Sequence, residues 1–242
     1  MLIAGFDTET TGLDVVNDHI IQVAVVLWDT ESKHKKAKVK YDALINSQAI
    51  PKLDDKVIEI HGITNEDLEK YGQPPLAVLQ KCNVLFTAAD AIIAHNGNLF
   101  DKPMFQNGCK RYKLDPVKRL WIDSSCDIEF PAHITARRLV HLAAEHGFVN
   151  PFPHDATSDV LTLLKIADLY DWEKLIEFAK APTLTVRADA TYQQKDLAKK
   201  QGYRWDGESR SWIKSIKDFQ LNDTNKAALE AGFKVIVLKG GK

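Results

Sequence analysis

The chain has 242 residues, of which 45% are hydrophobic and 27% are charged, the balance of a globular protein with a buried core. No apolar run approaches the roughly 18 residues of a membrane-spanning helix, and the start of the chain lacks the segments of a secretory signal, so a cytoplasmic protein without membrane attachment is expected. The net charge of −1 does not exclude nucleic acid, because 12 basic and 7 acidic residues give +5 in residues 181–242, whereas 20 basic and 26 acidic residues give −6 before them.

Hydrophobic patterns in the first 180 residues predict three strands, followed by strands that alternate with helices. Runs rich in apolar and β-branched residues predict strands at 2–7, 20–28, 38–45, 91–95 and 120–124. Amphipathic segments predict helices at 74–86, 102–112, 135–146 and 156–170. The short links between the first three strands indicate an antiparallel meander, and the alternation that follows implies an α/β fold with a mixed sheet flanked by helices.

The segment at 180–182, Lys-Ala-Pro, is the predicted boundary between two domains, at 1–180 and 181–242, because proline interrupts regular structure. The second part predicts a small basic α+β module. Its predicted strands lie at 183–187, 203–206, 211–216 and 233–239, and its predicted helices lie at 193–201 and 223–231.

Two tryptophans of this module, Trp205 and Trp212, allow two interpretations. If both face solvent, they form a platform for stacking nucleic-acid bases, lined by Arg204, Arg210 and Lys214. If both face inward, they fill the core of a module that has few other large side chains.

The segment Asp7-Thr8-Glu9 ends the first predicted strand. Since residues two apart on a strand point to the same face, the carboxylates of Asp7 and Glu9 project together, which is costly without a cation between them. Oxygen ligands of this kind suit hard divalent cations such as Mg²⁺. The alternative is a solvated strand end followed by a polar turn, and this pair alone does not decide between the two.

Two later segments add further acid and base groups. Asp101 follows the predicted strand at 91–95 and lies where the next helix should begin, so it is either a functional carboxylate or a helix N-cap. His154 lies on a proline-flanked loop, and Asp159 lies about one turn into the helix that follows. A histidine beside a carboxylate suits a general base, because imidazole titrates near neutral pH. Asp155 is the expected N-cap of that helix.

Together these segments resemble the motifs of the DEDDh exonucleases, the DnaQ-like superfamily, whose members include the proofreading subunit of bacterial replicative polymerase and ribonuclease T. The three motifs are DTETTGLD at 7–14, AHNGNLFD at 94–101 and HDATSD at 154–159. HGIT at 61–64 and WIDS at 121–124 are similar to further family landmarks. The resemblance spans about the first 175 residues and implies a ribonuclease H-like fold, with a mixed five-stranded sheet flanked by helices.

The resemblance also implies a mechanism with two Mg²⁺ or Mn²⁺ ions. Asp7 would touch both ions, and Glu9 and Asp159 would complete the site of the first. Asp101 would support the second ion, and His154 would remove the proton of the attacking water. The expected reaction is 3′→5′ hydrolysis of single-stranded DNA ends to nucleoside 5′-monophosphates.

Residues around the first two motifs are candidates for substrate binding. By resemblance, Leu13 would wedge against the last base, Phe100 would pack on the penultimate base, and Gly12 would let the backbone approach the sugar. The alternative for Leu13 and Phe100 is core packing. The full candidate set is Thr10, Thr11, Gly12, Leu13, His61 and Phe100.

Two other functions remain open at the level of sequence. The first is a 3′→5′ exoribonuclease of the same fold, because the same site cuts both polymers. The second is a non-catalytic nucleic-acid-binding accessory protein, against which the intact set of five catalytic residues argues. The expected partners are single-stranded 3′ ends and a polymerase or another replication or repair protein.

Overall fold

The computed structural model describes residues 1–131, 133–134, 136–207 and 209–240. The chain forms two compact units, Met1–Ala179 and Lys180–Lys242. Within the described residues, no helix combines the length and the apolar content needed to cross a membrane.

A mixed five-stranded sheet forms the centre of the first unit. Its strands are β1 (Leu2–Thr10), β2 (Ile20–Asp29), β3 (Ala37–Leu44), β4 (Ala91–Ala94) and β5 (Leu120–Asp123). They lie side by side in the order β3-β2-β1-β4-β5. The first three strands pair antiparallel, and β4 pairs parallel with both β1 and β5. The predicted meander and mixed sheet are therefore confirmed.

Helices flank this sheet. They are α1 (Asp55–His61), α2 (Asn65–Tyr71), α3 (Pro75–Ala88), α4 (Asp101–Arg111), α5 (Leu139–Glu145), α6 (Ala156–Ala167) and α7 (Trp172–Lys180). The predicted helix at 135–146 begins only at Leu139, and its first predicted residue, Thr135, lies outside the described residues. The sequence did not indicate α1 or α2, because α1 has no buried residue and α2 buries only Leu68, so neither carries an apolar stripe.

Apolar side chains pack on both faces of the sheet. On one face, α3 and α4 pack against β1 around Phe6, whose ring lies 5.2 Å from that of Phe86. On the other face, α6 crosses β1 at Gly5, where an added Cβ would lie 2.7 Å from Leu164 and 2.8 Å from Val160. The absence of a side chain at Gly5 therefore lets α6 lie close to β1, on the face to which Asp7 also points.

The second unit contains a four-stranded antiparallel sheet in the order β7-β8-β6-β9. Its strands are β6 (Thr183–Asp189), β7 (Arg204–Asp206), β8 (Ser211–Lys217) and β9 (Lys234–Gly240), and its helices are α8 (Lys195–Lys200) and α9 (Leu221–Glu230). Its small core includes Val186, Tyr203 and Phe233. The predicted order of strands and helices in this module is confirmed.

Candidate active site

The end of β1 supplies the first two carboxylates. Asp7 and Glu9 lie two residues apart on this strand, and both are partly accessible. Pairing of β1 with β2 continues through Thr10, so the backbone that carries both side chains is held in the sheet. The two carboxylates therefore share one face of β1, as the strand alternation predicts.

Asp101 reaches the same region from the loop after β4. It is the first residue of α4, and it is 2% exposed. Its Oδ1 accepts a hydrogen bond from the Thr8 hydroxyl at 2.9 Å. The N-cap alternative for Asp101 is wrong, because Phe100 occupies that position and the Asp101 side chain turns to β1 instead. The loop before α4 is tied to the end of β5 by the Asn98 amide, which donates to Asp123 Oδ2 at 3.0 Å.

His154 and Asp159 come from the start of α6. Asp155 is the N-cap residue, as predicted, and accepts from the Ser158 amide at 2.8 Å. His154 has a φ of 66°, a left-handed conformation that costs free energy in a non-glycine residue. Its backbone N–H donates to Asp159 Oδ2 at 3.1 Å, which holds the loop against the helix. Ligand atoms of Glu9, His154 and Asp159 all lie within 4.8 Å of one another.

Burial and mutual repulsion raise the pKa values of the clustered carboxyl groups. The pKa of Asp7 is raised well above its usual value, mainly by burial and then by Asp101 and Asp159. Burial is also the main cause for Glu9, whose pKa rises to about 8, and for Asp101, whose pKa rises to about 7. The pKa of Asp159 is raised mainly by burial as well.

Nothing in the described part of the chain neutralises this cluster with a lysine or arginine ion pair. Four carboxylates packed in this way are unfavourable unless a cation joins them. Their hard oxygen atoms are the ligands that Mg²⁺ and Mn²⁺ prefer. The donor set therefore fits divalent cations.

Two of the four carboxylates, Asp7 and Asp159, border a cavity of about 700 Å³. Asp7, His154 and Asp159 line it together with polar residues that the sequence did not indicate. These additional polar residues are His95, Asn96, Ser125, Arg137, Arg138 and Asn150. The two arginines place positive charge on the wall of the cavity, which suits a polyanionic ligand.

Two of the additional residues stabilise the site through hydrogen bonds. Asn150 is buried, and its side-chain amide donates to Asp159 Oδ1 while its Oδ1 accepts from the Ser158 hydroxyl at 2.7 Å. His95 bridges two loops, because its ring nitrogens lie 2.8 Å from Ser124 Oγ and 2.7 Å from the Arg137 carbonyl oxygen. Neither role could be found from a single sequence, because both depend on loops that meet only in the folded chain.

The end of β1 and the loop that follows hold four of the predicted substrate-binding residues. Thr10 Oγ1 donates to the Gly12 carbonyl oxygen at 2.6 Å, and Thr11 Oγ1 donates to Asp18 Oδ1 at 2.9 Å. These hydroxyl groups therefore stabilise the loop itself. A side chain at Gly12 would overlap the Asp18 carboxylate, so the glycine is needed for internal packing. Leu13 is 86% exposed, which excludes the core-packing alternative for this residue.

The remaining two candidates are partly buried. Phe100 packs against the core formed with α3 and α4, so the packing alternative holds for at least part of its surface. His61 ends α1, and its Nδ1 accepts from the Ile63 amide at 3.0 Å. Burial and then the nearby His154 lower its pKa. Because Nδ1 accepts a hydrogen bond, a neutral ring carries its proton on Nε2. That buried N–H has no acceptor among the described residues.

Comparisons with known proteins identify the first unit. The RNase_T family model, described as Exonuclease, matches residues 4–167. The chain is 30% identical over 176 residues to DNA polymerase III PolC-type of Listeria innocua, and 31% identical over 123 residues to that of Mycoplasma genitalium. These matches cover 72% and 50% of this chain but only 11% and 8% of the two relatives.

Solved structures share the fold. E. coli Exonuclease I in complex with a dA16 oligonucleotide has a TM-score of 0.62 at 20% identity, over 76% of this chain and 47% of that chain. The zinc ion bound form of the E. coli ExoI–ssDNA complex has a TM-score of 0.68 at 15% identity, over 95% and 69% of the two chains. The nuclease domain of 3′hExo, a DEDDh family member bound to rAMP, has a TM-score of 0.57 at 18% identity, over 69% and 90%. Since the family model matches most of the sequence, this chain belongs to the RNase_T exonuclease family, the DEDDh, DnaQ-like nucleases that its motifs resemble.

Proposed function

We propose that this chain hydrolyses single-stranded DNA from the 3′ end and releases nucleoside 5′-monophosphates, with two divalent cations bound at the carboxylates. The observation that carries the proposal is the convergence of three separate segments on one site. Asp7 and Glu9 come from β1, Asp101 from the start of α4, and His154 and Asp159 from the start of α6. Membership of an exonuclease family supports the same reaction.

The four carboxylates are proposed to hold the cations. Glu9 and Asp159 would hold one ion, Asp7 would contribute to both sites, and Asp101 would support the second. Bound divalent cations lower the pKa of water and stabilise charge on the phosphate and on the leaving oxygen. The metal identity proposed here is Mg²⁺ or Mn²⁺, and the zinc-bound structure of similar fold supports cation binding by this fold.

His154 is proposed to accept the proton of the attacking water. Its imidazole lies beside Glu9 and Asp159 and is solvent-exposed. It can therefore accept the proton of the attacking water and then release that proton to bulk solvent. The backbone of His154 is left-handed and is held by the hydrogen bond to Asp159. In this position His154 lines the cavity. A positioned general base of this kind contributes about 10²- to 10⁴-fold to a rate.

The residues that grip the terminal nucleotide are proposed from exposure and from hydrogen-bonding capacity. The exposed Leu13 side chain is available to pack against the last base of the strand. Phe100 is partly buried, and the accessible part of its ring is available to pack against the penultimate base. His61 Nε2–H is a donor for a phosphate or sugar oxygen. The hydrogen bond from Thr10 Oγ1 to the Gly12 carbonyl oxygen fixes the backbone that the sugar would approach.

The polymer and the partner are separate proposals. Exonuclease I structures of similar fold were solved as oligonucleotide complexes, which supports DNA. The nuclease domain of 3′hExo was solved with bound rAMP, which keeps an exoribonuclease as the second candidate. The two relatives of similar sequence are polymerases, which supports a polymerase as the proposed partner.

Digestion of labelled single strands tests the proposed reaction. With Mg²⁺, a 5′-labelled DNA strand is expected to shorten one nucleotide at a time, and a 3′-labelled strand is expected to release a labelled mononucleotide at once. A matched RNA strand compares the two polymers directly. Internal cuts without mononucleotide release, or shortening from the 5′ end, would contradict the proposed polarity.

Metal binding has a readout that does not depend on activity. Because burial and like charge raise the carboxyl pKa values, to about 8 for Glu9 and about 7 for Asp101, the folded protein retains protons that the unfolded chain has already lost. The free energy of unfolding of metal-free protein is therefore expected to fall as pH rises from about 5 to 8. Added Mg²⁺ is expected to raise Tm more at pH 8 than at pH 5.

The control for this experiment is Asp7→Asn, which removes one charge from the cluster. Its metal-free Tm is expected to exceed that of the wild type at pH 8 and to respond less to Mg²⁺. Equal Mg²⁺ shifts at both pH values, or equal shifts in both proteins, would rule out this cluster as the cation site.

The domain boundary is also a proposal, with the exonuclease domain at 1–180 and the accessory module at 181–242. A chain truncated after Lys180 is expected to fold and to cleave short single strands at close to the full-length rate, because the core clusters of the two units share no residue. Circular dichroism and a short-strand cleavage assay check this. If the truncated chain fails to fold, the second unit completes the catalytic domain instead.

A further inference from the structure

A second cavity, of about 340 Å³, lies in the C-terminal unit, between the end of β6 and the β7–β8 hairpin. Its volume falls at the lower end of the range of ligand pockets in proteins. Three aromatic residues, two arginines and one aspartate line it. These residues are Tyr192, Trp205, Trp212, Arg187, Arg210 and Asp189.

Two of the three aromatic side chains of this cavity, Trp205 and Tyr192, do not pack in the core, whereas Trp212 packs against it. Trp205 is 54% exposed and Tyr192 is 80% exposed, whereas the core of the unit is built around Tyr203 and Phe233. The interpretation that both tryptophans fill the core is therefore wrong for Trp205. Trp212 is half-buried beneath it, with the two indole rings 5.5 Å apart at 62°, so the inner ring supports the outer one.

Positive charge surrounds the aromatic rings. Lys195 Nζ lies 4.2 Å from the ring centroid of Tyr192, and Lys199 Nζ lies 5.6 Å from that of Trp212. Within the described residues, the guanidinium groups of Arg187 and Arg210 have neither an ion-pair partner nor a hydrogen-bond acceptor. Asp189 is the single carboxylate among the lining residues, so the cavity carries a net positive charge.

Two basic residues expected beside the tryptophans are placed elsewhere. Lys214 Nζ donates to the Gln201 carbonyl oxygen at 2.9 Å, and it does not line the cavity. Arg204 precedes Trp205 on β7 and therefore points to the opposite face of the sheet. Arg187, which the sequence did not indicate, is a lining residue contributed by β6.

We propose that this cavity binds single-stranded nucleic acid, with a base stacked on Trp205 and Tyr192 and with phosphates paired to Arg187 and Arg210. Exposed aromatic faces combined with unpaired cations are the features by which proteins hold single strands without reading sequence. The net charge of +5 in residues 181–242 favours a polyanion over an apolar peptide. The choice of this polymer also rests on the proposed exonuclease function, whose substrate is the same single strand.

Binding of single strands by the full-length protein tests the proposal. In the presence of chelator, which prevents cleavage, fluorescence anisotropy measures the Kd for a strand of about 30 nucleotides. Trp205→Ala is expected to weaken binding by about tenfold, the usual effect of removing one stacking platform. The double variant R187Q/R210Q is expected to weaken binding and to lower the slope of log K against log salt by about 0.7 for each phosphate that the variant no longer neutralises.

A charge control that removes one positive charge is Lys226→Gln, because Lys226 is exposed on α9 and does not line the cavity. Arg210 has a φ of 48°. Glutamine, like arginine, is unbranched at Cβ, so the substitution adds no backbone strain at this position. Trp205→Phe retains an aromatic face and is expected to recover most of the affinity. Melting temperatures within a few degrees of wild type confirm that all variants fold.

Cleavage of strands of about 4 nucleotides in Mg²⁺ separates this proposal from the proposed function. Variants that bind long strands weakly but cleave short strands at the wild-type rate would support the second site. If short strands are not cleaved at all, the exonuclease proposal fails while a loss of binding in Trp205→Ala still supports the second site. If Trp205→Ala and R187Q/R210Q bind long strands as Lys226→Gln does at every salt concentration, the site does not take nucleic acid, and a protein ligand is the better assignment.

Discussion

Asp7→Asn is expected to lower the rate of 3′-end cleavage by more than about three orders of magnitude, a loss of about 4 kcal/mol of transition-state stabilisation. Asparagine keeps the size of the side chain but removes the charge that the proposed cation pair requires. Burial, and then the charges of Asp101, Asp159 and Glu9, raise the pKa of Asp7. Single-turnover cleavage of labelled single-stranded DNA in saturating Mg²⁺ measures the effect.

The same substitution is expected to stabilise the metal-free fold, since it removes one carboxylate from a repulsive group. Loss of activity with an unchanged or higher Tm separates a catalytic effect from unfolding. Asp223→Asn is a matched control, because Asp223 is exposed on α9 and its substitution leaves the cluster intact. A near-normal rate for Asp7→Asn would exclude the proposed role of Asp7.

His154→Ala is expected to slow the chemical step by about two to four orders of magnitude, the usual contribution of a positioned general base. The proposed role predicts a specific separation of effects. Cation affinity, measured by the Mg²⁺-dependent rise in Tm, is expected to stay close to wild type, because the four carboxylates remain. The rate at saturating Mg²⁺ falls, because the attacking water has lost its proton acceptor.

His34→Ala serves as the control for this substitution, because His34 is exposed near the β2–β3 connection and is not part of the site. Alanine at position 154 retains a side chain in a left-handed conformation, as histidine does, so the backbone cost is similar in both proteins. An unchanged single-turnover rate in His154→Ala would assign the base to another group. A large loss of Mg²⁺ affinity would make His154 a metal ligand instead.

Much of the fold follows from local sequence patterns. The β-branched run at 20–28 predicts β2 (Ile20–Asp29) almost to the residue, because a strand buried on both faces requires apolar side chains at successive positions. The helix predicted at 156–170 instead ends at Ala167, and α7 follows after a short turn. That turn contains Asp168, which is held by Lys36 at 2.5 Å and by the Trp28 indole at 3.2 Å. Partners more than 130 residues away cannot be recognised from the local pattern.

The candidate site divides in the same way. The two-residue period of a strand was sufficient to place Asp7 and Glu9 side by side, and the N-cap of α6 was recognisable at Asp155. The local pattern at Asp101 was equally consistent with a helix cap. Only the packed structure shows the hydrogen bond from the Thr8 hydroxyl that holds the Asp101 carboxylate towards β1.

By itself, the sequence determined the set of chemical groups, their order along the chain and the elements that carry them, because these depend on residue type and on the periods of strands and helices. The tertiary structure decided which groups meet and how deeply they are buried. Examples are the contact of Asn150 with Asp159, the raised carboxyl pKa values and the exposure of Trp205 in a cavity that Arg187 also lines. Each of these depends on burial or on distances between segments far apart in sequence. Such quantities arise from long-range packing, and local preferences carry no information about them.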